Sequence, residues 1–274
     1  MIRSMYSGVS GMRGFQTKLD VIGNNIANVN TTGFKSGRVM FQDILSQTVA
    51  GGTTPDAGTI GGVNPRQIGL GVTVSSIDTV HTPGSAQTTN VPTDLRIDGD
   101  GFFVVSADGT DATAFLTRAG NFSVDAEGYL VNADGMFVMD AGVGGPIQID
   151  PATYVAFTIE SDGSITGTDV DGETADIGVQ IGIAKVRNPN GLEKAGGNLY
   201  RLTPYADPDD LATITTTAGD AGRGTLVPGQ LEMSNVDLTN EFTDMIVAQR
   251  GFQANSRIIT TSDSILEEVV NLKR

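Results

Sequence analysis

The stretch LDVIGNNIANVNTTGFK, residues 19–35, reads as a helix with an unusual second face. Leu19, Ile22, Ile26 and Val29 recur at the spacing of one helical stripe. Asn24, Asn25, Asn28 and Asn30 crowd the same turns, although asparagine is a poor helix former. No residue from Val21 to Phe34 is charged, so the face opposite the stripe lacks the lysines and glutamates of a solvated surface. Amides can hydrogen-bond other backbones without the cost of burying an ion. Asn24 and Asn28, opposite the stripe, are therefore read as contact residues beside Leu19, Ile22, Ile26 and Val29.

Upstream the pattern continues. Met5, Met12, Leu19 and Ile26 fall seven apart, as do Phe15, Ile22 and Val29. From Met12 the spacings run 3, 4, 3, 4, 3, the seam of a coiled coil. This predicts a helix over 1–33, with Gly33 as its stop. The far end mirrors it: Leu238, Met245, Phe252, Ile259 and Leu266 are each seven apart, and Phe242 widens the stripe. Asp237, Glu241 and Asp244 at its start and Lys273 and Arg274 at its end match the helix dipole. A helix within 231–274 is predicted, long enough at roughly 50 Å to need a partner along its length. The fold expected is mixed α and β, its N- and C-terminal helices forming a coiled-coil-like pair around a central all-β domain.

That domain is expected over 75–230, where turn pairs such as Asp98-Gly99, Asp134-Gly135 and Asp162-Gly163 separate short β-rich runs: FFVV (102–105), YVAFTI (154–159), VQIGIAKV (179–186). The stretch 34–74 is rich in Gly and Thr and weakly patterned, and reads as an extended connector.

Charge follows the same division. The net charge is −15. The first 35 residues hold four basic side chains against one acidic, the last 39 hold four against six, and the middle carries −16. So acidic a centre argues against nucleic acid as a partner. With no Cys, there are no disulfides or thiolate sites. No continuous apolar segment suggests a cleaved signal peptide or a membrane span, so any export is expected by another route.

Catalytic readings find little support. His81 is the sole histidine, which excludes a multi-histidine metal site within one chain; a solvated or strand-packed role is expected. Asp98 and Asp100 suggest paired carboxylates, but both stand before glycines and read as turn residues. Asp169, Asp171 and Glu173 lack the glycine and glutamate spacing of a calcium loop. GLGV (69–72) and AGVGGP (141–146) lack the Lys-Ser/Thr of a phosphate loop. No cofactor, metal or small-molecule substrate is expected, and the chain is not read as an enzyme.

The opening stretch resembles the N-terminal signature of the bacterial flagellar axial proteins, the rod, hook and junction family, at Ala27, Asn28, Thr31, Gly33, Phe34 and Lys35. Residues 234–274 resemble the same family's C-terminal motif at Gln249, Arg250, Asn255 and Asp263. LRIDGDGFFVV (95–105) is similar to its β-domain signature. The resemblance implies a structural subunit that assembles with itself into a helical tube. Its partners would be distal rod, hook-cap and hook–filament junction proteins and the type III export apparatus, and its location the extracellular flagellum and basal body. Phe41 and Leu45 resemble the export signal of such subunits. LDVIGNNIANVNTTGFKS and the ending VVNLKR look hook-like, so a hook subunit passing motor torque to the filament is expected, with the distal rod as alternative. From another class, a secreted β-domain adhesin with oligomerising terminal helices would share the pattern.

Overall fold

The computed structural model describes residues 2–54, 62–110, 113–141, 144–169 and 171–272. Lys273 and Arg274, expected at the end of the C-terminal helix, lie outside them. The chain folds as two compact units: a helical unit of Met1–Ala27, Gly37–Thr79 and Asp237–Arg274, and a β unit of Asn28–Ser36 and Val80–Val236.

In the helical unit, helix α1 spans Ile2–Ala27. Val29 therefore lies past the helix, in the turn that follows, and does not continue the stripe. Gly33 is not the stop either. The segment expected as a connector is extended but not unpaired. Strand Gly37–Asp43 pairs antiparallel with Val72–Thr79, and Ser46–Ala50 pairs with Arg66–Gly69, so the two ladders make a hairpin arm. The turn chemistry gave no hint of this, because the two halves are joined by a long Gly/Pro segment with no tight Asn-Gly or Asp-Gly turn.

In the β unit, the short helix α2 covers Leu211–Ile214. Back in the helical unit, α3 runs Leu238–Asn271. Asp237 caps α3, its carboxylate accepting the Thr239 N–H at 2.9 Å. The expected helix over 231–274 thus begins late: Gln230–Glu232 is a strand paired with Ala86–Thr88.

The β unit is built on a nine-stranded antiparallel sheet with strand Phe102–Ser106 at its heart. Every residue of that strand is buried. Its alternation explains why: Phe103 and Val105 enter one core with Leu95, Ile97, Leu130 and Ile181, while Phe102 and Val104 enter a second with Leu116, Met139 and Tyr200. A strand covered on both faces loses the apolar–polar alternation of a half-exposed one. YVAFTI forms Tyr154–Ile159, the first strand of a three-stranded meander with Ser164–Asp169 and Thr174–Gln180. Gly163, at φ +88°, turns the first hairpin after Asp162. VQIGIAKV divides between Thr174–Gln180 and Ile183–Ala184.

Candidate assembly surfaces

In the helical unit α1 and α3 run antiparallel, and glycines set their spacing. Gly8 lies against Ile259 and Asn255, and Gly11 against the Asn255 amide. The Phe15 ring lies over Gly251, where an added Cβ would come 2.6 Å from it. Further along, Lys18 reaches Asp244 at 3.2 Å, and Asn25 reaches Glu241 at 3.0 Å. The contact line therefore runs through residues 8, 11, 15, 18 and 25. Beyond Phe15 it passes one residue before each of the expected Leu19 and Ile26, and before it Gly11 replaces Met12. Hydropathy does not register glycine, but three glycines three apart in a helix (Gly8, Gly11, Gly14) are a costly choice unless a neighbour needs the space. Gly14 serves the other side, against the Phe41 ring of the hairpin arm.

The asparagine that matters is Asn25, 1% exposed. Its Oδ1 accepts the Gly37 N–H at 2.9 Å, and its Nδ2 donates to the Gly37 carbonyl at 2.9 Å and to Glu241 Oε1. One amide thus joins α1, the first hairpin strand and α3. Burial raises the Glu241 carboxyl above its usual range, against the lowering effect of the Asn25 bond.

Of the other residues predicted for assembly, Ile22 is buried. Met5, Met12, Phe15, Leu19, Ile26, Asn28, Met245, Ile259 and Leu266 are half-buried. Asn24, Leu238, Phe242 and Phe252 are exposed. Leu45 is exposed beside the arm strands, and Phe41 packs on Phe15 with ring centres 6.0 Å apart. Ile246, Val247, Ile258, Ile265 and Val269 add to the bare apolar surface of α3. Among the described residues, all the exposed large apolar side chains except Val91, Val124, Val155 and Tyr205 belong to the helical unit. So uneven a distribution marks surface that is meant to be covered.

The β unit holds a different device, which no pattern in the sequence suggested. Lys35 is fully buried and its Nζ donates to Glu232 Oε1 at 2.6 Å and to the Thr82 carbonyl at 2.8 Å. Arg118 donates to Glu232 Oε2 at 3.2 Å and to the Gly99 carbonyl at 3.0 Å, with its guanidinium over the Phe102 ring. The Gly84 N–H completes the carboxylate's set at 2.9 Å. Burial alone would raise the Glu232 carboxyl, but Arg118, Lys35 and the Gly84 N–H together hold it below the usual carboxylate range. Gly33 and Phe34 prepare this site. Gly33 adopts φ +68° with its own N–H on the Glu232 carbonyl, and a Cβ there would sit 2.5 Å from the Ala119 nitrogen. Phe34 is buried beneath the Lys194 ammonium. The Gly-Phe-Lys triplet is thus a clasp. His81 stands beside it between the Phe102 and Tyr200 rings, strand-packed as one of its two expected readings had it. Burial, then the Lys35, Arg118 and Lys194 charges, lowers its pKa to about 4, so it is neutral at pH 7.

Comparison with known proteins adds the family. Residues 5–35 match the family model "Flagella basal body rod protein", residues 96–167 "Flagellar hook protein FlgE/F/G D1 domain", and residues 227–272 "Flagellar basal body rod FlgEFG protein C-terminal". The Flagellar basal-body rod protein FlgG of Bacillus subtilis is 56% identical over 274 residues, with both chains covered in full. That of Borreliella burgdorferi is 37% identical over 280, again with both in full. The Flagellar hook protein FlgE of Treponema pallidum is 31% identical over an alignment of 472, spanning 100% of each. With glycine-spaced terminal helices, a bare apolar surface and these matches along its whole length, the chain belongs to the flagellar rod and hook family of axial structural proteins.

Proposed function

We propose that this chain is a subunit of the flagellar rod, in its distal part, and that it polymerises with copies of itself in the basal body. One observation carries the choice of rod over hook: likeness to the B. subtilis rod protein is far higher than to the T. pallidum hook protein, and over a chain of equal length. The hook reading drawn from the two chain ends gives way to its alternative, because those ends are motifs of the whole family.

In this reading the helical unit is the polymer's inner wall. Met5, Met12, Phe15, Leu19, Ile22 and Ile26 on α1, and Leu238, Phe242, Met245, Phe252, Ile259 and Leu266 on α3, serve the coiled-coil-like pair and its contacts with neighbours. Asn24 and Asn28 supply amide contacts that need no buried charge. The chain's role is structural, not enzymatic. Export runs through the flagellar type III apparatus, with Phe41 and Leu45 as the signal, and the neighbours along the axis are the other rod proteins and the hook. The bare apolar surface of the helical unit supports assembly.

Deleting the gene in its own host and imaging isolated basal bodies tests the assignment. The expected result is basal bodies that lack the distal rod. Complete rods that merely lack a hook would return the chain to the hook reading.

A further inference from the structure

The two terminal helices are unequal in length, and the excess is at one end. Their contacts pair residue 25 with 241, 15 with 251 and 8 with 259, so Ile2 stands opposite the residues just before Ile265. The last seven residues of α3 and its cap, 265–272, therefore run past the start of α1 by about 12 Å. This overhang carries its own apolar stripe. Ile265, Val269 and Leu272, spaced i, i+4 and i+7, are 43%, 50% and 86% exposed. Glu268 flanks the stripe, while Asp263 and Glu267 fall on the opposite side.

Elsewhere in the same unit, α1 and the hairpin arm enclose a groove of about 450 Å³. Tyr6, Val9, Ile44, Leu70 and Val72 line it, and Arg13 supplies its cation. The overhang of the same chain leads away from this groove, since it continues beyond Ile2 while the groove begins at Tyr6.

We infer that the α3 overhang of one copy seats in the α1–hairpin groove of the next, with Ile265, Val269 and Leu272 in the groove and Glu268 paired with Arg13. This rests on the reading of the chain as a self-assembling rod subunit and names the two surfaces that meet. The occupant follows from complementary features: an apolar stripe with one flanking acid, and an apolar groove with one cation. Because donor and acceptor surfaces differ and no chain can satisfy its own, the contact repeats from copy to copy. Heterologous contacts of this kind propagate into open helical polymers.

The test uses the full chain and two classes of variant. A chain ending at Ser264 keeps every α1–α3 contact described above and is expected to fold as a monomer, checked by circular dichroism. It is expected to need at least roughly tenfold more protein to polymerise, because three apolar side chains lose their pocket. Arg13→Glu and Glu268→Arg alone are each expected to impair assembly, and together to restore it. The chain has no cysteine, so Leu70→Cys with Val269→Cys gives a clean readout: oxidised polymers are expected to show a ladder of cross-linked multimers, and monomers none. Unchanged polymerisation of the 1–264 chain, or polymers of the double-cysteine chain that do not cross-link, would overturn the contact while leaving the rod reading intact. Cross-linking only to a different axial protein would overturn it equally. Failure of the unaltered chain to polymerise under any condition would strike the rod reading itself.

Discussion

Lys35 Nζ lies 2.6 Å from Glu232 Oε1, both side chains closed to water, although 197 positions separate the two residues in the chain. Arg118 shares the carboxylate, so one buried anion serves two buried cations. Such a cluster is worth less than its Coulomb attraction suggests while intact, and is costly to break, because removing one member leaves the others charged and unpaired.

Glu232→Gln is therefore expected to destabilise the β unit by about 3–5 kcal/mol, since it strands Lys35 and Arg118. Urea unfolding of the full chain, followed at the tyrosines of the β unit, measures it. A loss below about 1 kcal/mol would mean that water or another acceptor already shares the load.

Gly33→Ala is expected to cost at least about 1–2 kcal/mol. Part is the left-handed backbone at φ +68°, and part the Cβ pressed on the Ala119 backbone, which cannot rotate away. The same unfolding series reads it, and a shift in the clasp would appear as faster amide exchange at the Gly84 N–H.

Glycines of α1 are expected to divide by what faces them. Gly23 has nothing within 4 Å of an added Cβ, so Gly23→Ala should raise the helix's stability by up to about 1 kcal/mol. Gly11→Leu should instead part α1 from α3 at Asn255 and speed amide exchange along both helices. Equal effects from the two substitutions would contradict this contact line between α1 and α3.

Acid should loosen the β unit in two stages. With its folded pKa at about 4 against a usual 6.5, His81 takes up its proton in the unfolded chain first, so stability falls as pH drops from 6.5 to 4. Glu232, held below its usual 4.5, contributes stability above that pH, which is lost as pH falls through the lower folded value. His81→Gln should flatten the first stage and keep the second. Midpoints of urea unfolding at several pH values between 7 and 3 separate them.

Much of this architecture was legible in the chain. Heptad spacing located both terminal helices, because a stripe facing a partner needs apolar residues at that period whatever the partner is. Asp-Gly pairs and short β-rich runs marked the β unit, because tight turns demand residues that tolerate positive φ. The contact line between the helices was legible only in part, at Phe15 and Ile259. The rest of it runs through Gly8, Gly11, Asn25, Ala248 and Ser262, residues that the hydrophobic pattern passes over, and close approach of two backbones shows only once both are placed. The hairpin arm was hidden for a related reason, since its strands pair across a long Gly/Pro segment without a short-range turn signal.

The sequence by itself determined the two amphipathic ends and the acidic β centre, both consequences of local spacing and composition, while its motifs carried the resemblance to the family. Only the tertiary structure decided what Gly33, Phe34 and Lys35 are for. Their role depends on Arg118 and Glu232, brought to them from far along the chain, and a buried charge has meaning only beside the partners that neutralise it.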